Sequence, residues 1–128
     1  MAPRSQLTGD MAVMSDEIYS KANLGNIEKM NALAPELMKA FWAFDKLSVA
    51  AGAIPVKYKE LIAVAVAVTT QCPYCIDIHT GNAQAAGATE TELVEAGMVA
   101  AALRAGGAVT HTTHALAKAA ATATGQSG

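Results

Sequence analysis

A chain of 128 residues and 13.1 kDa has material for one domain and little left for a second. Its formal net charge of −2 and sequence pI of about 5.8 offer no basic field for a polyanion, so nucleic acid is not an expected partner. Hydrophobic residues make up 52% of the chain but aromatic ones only 5%, so the core must be built mainly from Ala, Val, Leu, Ile and Met, a composition suited to closely spaced helices and to a subunit interface.

The first residues, Met1 to Met14, mix Pro3, Gly9 and small polar side chains without a period, and read as an arm. They lack the basic start and apolar stretch of a secretory signal, which makes the cytoplasm the expected compartment. A short helix is expected from Met14 to Asn23, ending near Gly25. Pro35 suits the first turn of the next helix. There Leu37, Met38, Phe41, Phe44 and Ser48 recur at helical spacing, with Trp42 near the edge, and read as core packing as far as Gly52.

Pro55 restarts the chain into the longest apolar run. Val64, Val66 and Val68 alternate with alanine in a strand-like period, yet the length of the run and its alanines favour a buried helix. An isolated strand would also have no partner. The apolar stretch Leu61 to Val68 falls far short of the roughly 20 residues of a bilayer span, so no membrane is expected. A further helix should open at Cys72-Pro73 and stop at Gly87. Another should open on the T-x-x-E capping box at Thr89 and end at Gly106-Gly107, followed by a last helix from Val109 to Ala120. The expected architecture is therefore all-α, a single-domain bundle of about five or six helices: an arm over 1–20, the domain over 21–121 and a flexible tail over 122–128.

The only cluster of reactive side chains lies at Cys72, Cys75 and His79, which on one helix share a face. Cysteines three apart can close a disulfide after small adjustments, and a helix N-terminus favours the reactive thiolate. His79 is one turn beyond Cys75 and can take or return a thiol proton. Glu60 opens the preceding apolar run. If the two helices pack antiparallel, its carboxylate needs a hydrogen-bonded partner and the Cys/His cluster is the natural one. Zinc on Cys72, Cys75 and His79 would need a further ligand, for which only His111 and His114 are at hand, and these read more simply as an exposed face. Ile76 stands where c-type haem attachment needs histidine. Asp77 is expected only to solvate. No metal and no cofactor is expected.

The string of Glu60, then Cys72-Pro-Tyr-Cys75, then His79 resembles the carboxymuconolactone decarboxylase superfamily, and more narrowly its alkylhydroperoxidase AhpD-like branch, over about residues 30 to 105. The resemblance implies an all-α fold assembled as a homotrimer or homohexamer. It implies that Cys75 attacks a hydroperoxide, Cys72 resolves the sulfenic acid as a disulfide, and Glu60 and His79 relay protons. A dithiol donor, such as a lipoyl group, would restore the thiols. Tyr74 departs from the branch, which carries a second histidine there, and tyrosine with its pKa near 10 is a poorer proton carrier. Members of the decarboxylase branch generally lack the cysteine pair, which argues against lactone decarboxylation. Two alternatives remain at this level: a disulfide reductase attacking through Cys72, and a non-catalytic oligomer whose cysteines hold zinc or sense redox state.

Overall fold

The computed structural model describes residues 19–125. They form a 3₁₀ turn at Lys21–Gly25 and five α-helices: α1 (Asn26–Leu33), α2 (Pro35–Val49), α3 (Val56–Thr70), α4 (Pro73–Ala85) and α5 (Glu90–Ala123). The fold is all-α, as expected, with no strand among the described residues. The valine-alanine run of α3 is a helix. Glu60, Leu61, Val64 and Ala67 bury the face that meets the rest of the chain, while Val66 and Val68 are exposed, so the alternation carries no strand.

α3 is the hub, packing against α4 and against α5. With Ala83 of α4, the three apolar residues Leu61, Val64 and Ala67 are the buried core of the described chain. The turn from α3 into α4 is tight. Gln71 ends α3 in the left-handed region (φ 56°), where its N–H and that of Cys72 both reach the carbonyl of Ala67. Pro73 then occupies the first position of α4, where its missing N–H costs nothing. α4 stops as expected, with Gly87 just beyond it at φ 95°.

Several boundaries differ from expectation. Gly25 does not stop a helix: its backbone is helical (φ −61°, ψ −23°), and the 3₁₀ turn, capped by the Ser20 hydroxyl, runs directly into α1. The stretch from Met14 to residue 18 lies outside the described residues. α2 ends at Val49, three residues before Gly52, and its apolar face is not core of this chain: Leu37 is 76% exposed and Phe44 71%. Trp42 instead ties α2 to α1, its indole N–H donating to Asn31 Oδ1 at 3.0 Å.

The largest correction is α5. Two helices parted at Gly106-Gly107 were expected, but one helix of 34 residues runs through both glycines and on to Ala123, two residues past the expected domain end. Glycine in a helix interior costs only about 1 kcal/mol against alanine, too little to break a run flanked by alanine on both sides. The capping box is present as expected: Glu92 N–H donates to Thr89 Oγ1 at 3.1 Å, and Thr89 N–H to Glu92 Oε2 at 2.9 Å. Glu92 Oε1 also accepts from Lys57 Nζ at 2.9 Å, pinning the start of α5 to that of α3. As one element, α5 is long and apolar enough to cross a bilayer, which two shorter helices would not be. α5 packs on α3, yet no residue of that apolar stretch is buried among the described residues.

Candidate active site

The N-terminus of α4 presents the two thiols. Cys72 is its N-cap, with extended backbone (φ −96°, ψ 98°), and its Sγ accepts the Cys75 N–H at 3.4 Å. The two Sγ atoms are in hydrogen-bond contact at 2.7 Å, and both cysteines are free and half-buried. The proton between them lies unequally. Hydrogen bonding from the Cys75 side chain, then from the Cys75 N–H, holds the Cys72 thiol below its ordinary value, outweighing partial burial. Cys75 is pushed up to about 11, first by its hydrogen bond to Cys72, then by burial and by the negative charges of Cys72 and Asp45. Such a pair titrates as a unit, and its first negative charge rests on Cys72.

α3 and α4 run antiparallel here, which sets Glu60 against His79. Glu60 is 3% exposed, and its Oε2 lies 2.6 Å from His79 Nδ1. In the tautomer that donates Nδ1–H to the carboxylate, Nε2 is the free ring nitrogen. The buried carboxylate thus has the partner its burial demands.

Cys75 and His79 line one cavity of about 430 Å3, whose walls are otherwise mainly Val49, Ile54, Ile62, Ala63, Val66 and Ala67. Cys72 does not line it. Two charged side chains do, Asp45 of α2 and Lys59 of α3, and sequence reading singled out neither. A signal for Lys59 was its adjacency to Glu60; Asp45 had none, because only the packing of α2 on α3 brings it to the thiols.

Tyr74 has a structural post. Its hydroxyl donates to the Ser20 carbonyl at 3.3 Å and accepts from Asn23 Nδ2 at 3.4 Å, while its ring meets Tyr19 edge to face with centroids 6.3 Å apart. It therefore straps the 3₁₀ turn to the motif helix. Asp77 does more than solvate, pairing with Lys21 at 3.0 Å, though both side chains are too exposed for that pair to contribute much. His111 and His114 are not brought to the thiols. They stand on the exposed second half of α5, ring centroids 5.4 Å apart, and the His111 Nδ1–H donates to the Gly107 carbonyl at 2.9 Å. Among the described residues no three His, Cys, Asp or Glu side chains are grouped to hold a metal ion.

The site is therefore a cysteine pair at a helix N-terminus with a buried Glu/His couple beside it, on an all-α domain. The sequence profile of the carboxymuconolactone decarboxylase family matches residues 35–118, and the chain belongs to that family. It is 44% identical over 106 residues to an uncharacterised protein of the cox locus of Paracoccus denitrificans, covering 81% of this chain and 93% of that one. It is 38% identical over 80 residues to an alkyl hydroperoxide reductase of Mycobacterium tuberculosis, covering 59% of this chain but only 23% of the reductase. Among solved structures, a carboxymuconolactone decarboxylase family protein from Legionella pneumophila superposes with a TM-score of 0.60 at 36% identity, over 65% of this chain and 74% of that one. A protein from Methanobacterium thermoautotrophicum gives 0.62 at 35% identity, over 66% of this chain and 96% of that one.

Proposed function

We propose that this protein is a thiol-dependent hydroperoxide reductase. The observation that carries the reading is a thiol pair in contact at 2.7 Å of which only Cys75 lines the apolar cavity, together with His79. The Cys75 proton passes to His79 Nε2, and the Cys75 thiolate attacks the outer oxygen of the hydroperoxide. The O–O bond breaks, the alkoxide takes a proton from the His79–Glu60 couple and leaves as alcohol, and Cys75 becomes a sulfenic acid. Cys72 then attacks that sulfur, the hydroxyl leaves as water, and the disulfide closes. A dithiol donor, of which a lipoyl group is one kind, returns the two electrons. The test is free-thiol content before and after one equivalent of cumene hydroperoxide on the prereduced, metal-free protein. Two thiols per chain should disappear in the wild type and neither in Cys75→Ser, while Cys72→Ser should complete one turnover and stall. Survival of both wild-type thiols overturns the reading.

One observation favours a second reading, in which Cys72 attacks a protein or small-molecule disulfide: of the two thiols, Cys72 is the one held below its ordinary value, first by the hydrogen bond from the Cys75 side chain. Insulin reduction without any consumption of hydroperoxide would select it.

The working unit we propose is a homotrimer or homohexamer in the cytoplasm. Support comes from the apolar surface the chain leaves open on itself: Leu33 and Leu37 of α1 and α2 are 75% and 76% exposed, and every residue from 108 to 120 of α5 is exposed. A monomer seldom presents so much.

A further inference from the structure

Two opposite charges, Lys59 and Asp45, line the Cys75 cavity, and their distances from the thiol differ in a way that orients a ligand. His79 pairs with Glu60 on α3, and Cys72 N–H bonds the Ala67 carbonyl. On that antiparallel register Cys75 lies level with the middle of α3. Lys59 is about five residues back toward the start of that helix, and its side chain leans further the same way, its Nζ donating to the Ala50 carbonyl at 2.6 Å. At 1.5 Å per residue plus the reach of the side chain, the ammonium sits on the order of 10 Å from the level of the thiol. The wall that Lys59 and Cys75 share is mainly apolar, with Ile62 and Ala63 between their levels on α3. Among the described residues Lys59 is in no ion pair, and one carbonyl occupies only one of its three N–H donors. Asp45 also lines the cavity, from α2, and its negative charge is felt at Cys75.

Resting on the hydroperoxide reading above, we propose that the substrate is an amphipathic hydroperoxide carrying a carboxylate: its anionic end is held by Lys59, its chain lies along the apolar wall, and its peroxide is delivered to Cys75. Asp45 repels the carboxylate from the thiol end, so the ligand enters in one orientation only. A neutral hydroperoxide of the same shape has no such preference. Fatty-acid hydroperoxides have this chemistry.

The experiment compares kcat/KM for linoleic acid hydroperoxide and for its methyl ester, in the wild type, Lys59→Met and Lys59→Arg, with cumene hydroperoxide run on the wild type as the control for peroxidase activity. A charge-assisted contact of this kind is expected to favour the acid over the ester about tenfold. The ratio should fall to near one in Lys59→Met, through KM, and be kept in Lys59→Arg. If cumene hydroperoxide is consumed but acid and ester are equally good in the wild type, the inference is overturned and the peroxidase reading stands. If cumene hydroperoxide is not consumed, the peroxidase reading falls, and titration of the protein with unoxidised linoleate decides the inference separately. Binding that Lys59→Met abolishes and Lys59→Arg keeps supports it, and no binding to the wild type overturns it.

Discussion

Cys72 and Cys75 are chemically identical side chains three residues apart, yet their surroundings push them in opposite directions, Cys72 down and Cys75 up. The difference is positional. Cys72 sits outside the first turn, where it accepts the Cys75 N–H and the Cys75 thiol, while Cys75 sits inside the turn as donor, half-buried and facing Asp45. The pH dependence of iodoacetamide alkylation, resolved by mass spectrometry of the two peptides, should therefore show Cys72 reacting below the ordinary thiol range. Cys75 should follow only near pH 11. Cys75→Ala removes the largest cause acting on Cys72, so the Cys72 midpoint should move up. Cys72→Ala removes the thiolate beside Cys75, so the Cys75 midpoint should move down. Midpoints unchanged in both variants would show that the sulfurs do not share a proton. The spacing of the motif made the shared helix face legible, and Glu60 with it, because a carboxylate opening an apolar run has to find a partner. The unequal proton was not legible, since it depends on which cysteine is the cap and on a carboxylate thirty residues upstream in α2. Nor was the strapping role of Tyr74, which rests on a backbone carbonyl at Ser20.

At the scale of the helices, local chemistry told most where it was strongest. Prolines at the starts of α2 and α4, the capping box at Thr89 and the left-handed glycine after α4 all stand where their physics puts them. The failures share one cause: glycine stops a helix only when the chain takes up its conformational freedom, and Gly25, Gly106 and Gly107 instead remain within helical backbone. A Cβ built on Gly106 meets nothing within 4 Å, so no close approach demands glycine there. Gly106→Ala should accordingly stabilise α5, by about 1 kcal/mol, read as a higher midpoint in thermal or urea denaturation. A lower midpoint would mean that the pair works as a joint between two helices after all.

Over the whole molecule, the apolar, aromatic-poor composition foretold helices but not how few residues one chain would bury. Among the described residues the buried core is four small or medium side chains, Leu61, Val64, Ala67 and Ala83, and the apolar face of α2 looks outward. Periodicity marks a face as apolar without saying whether this chain or another covers it, which is why Phe41 and Phe44 read as internal core. Light scattering on a sizing column should give a mass that is a multiple of three chains, and the urea midpoint should rise with protein concentration. A single 13.1 kDa species with a concentration-independent midpoint would reject the assembly. The cap at Cys72 also links folding to electron transfer. The native chain stabilises the reduced pair through the Cys75 N–H and the shared proton, and a disulfide between the same sulfurs gives up the thiolate that receives them. By linkage, whatever the fold gains from a Cys72 thiolate raises the reduction potential of that disulfide, while the contact the fold imposes on the two sulfurs lowers it, and the balance sets how strong a donor must be to return it to the dithiol.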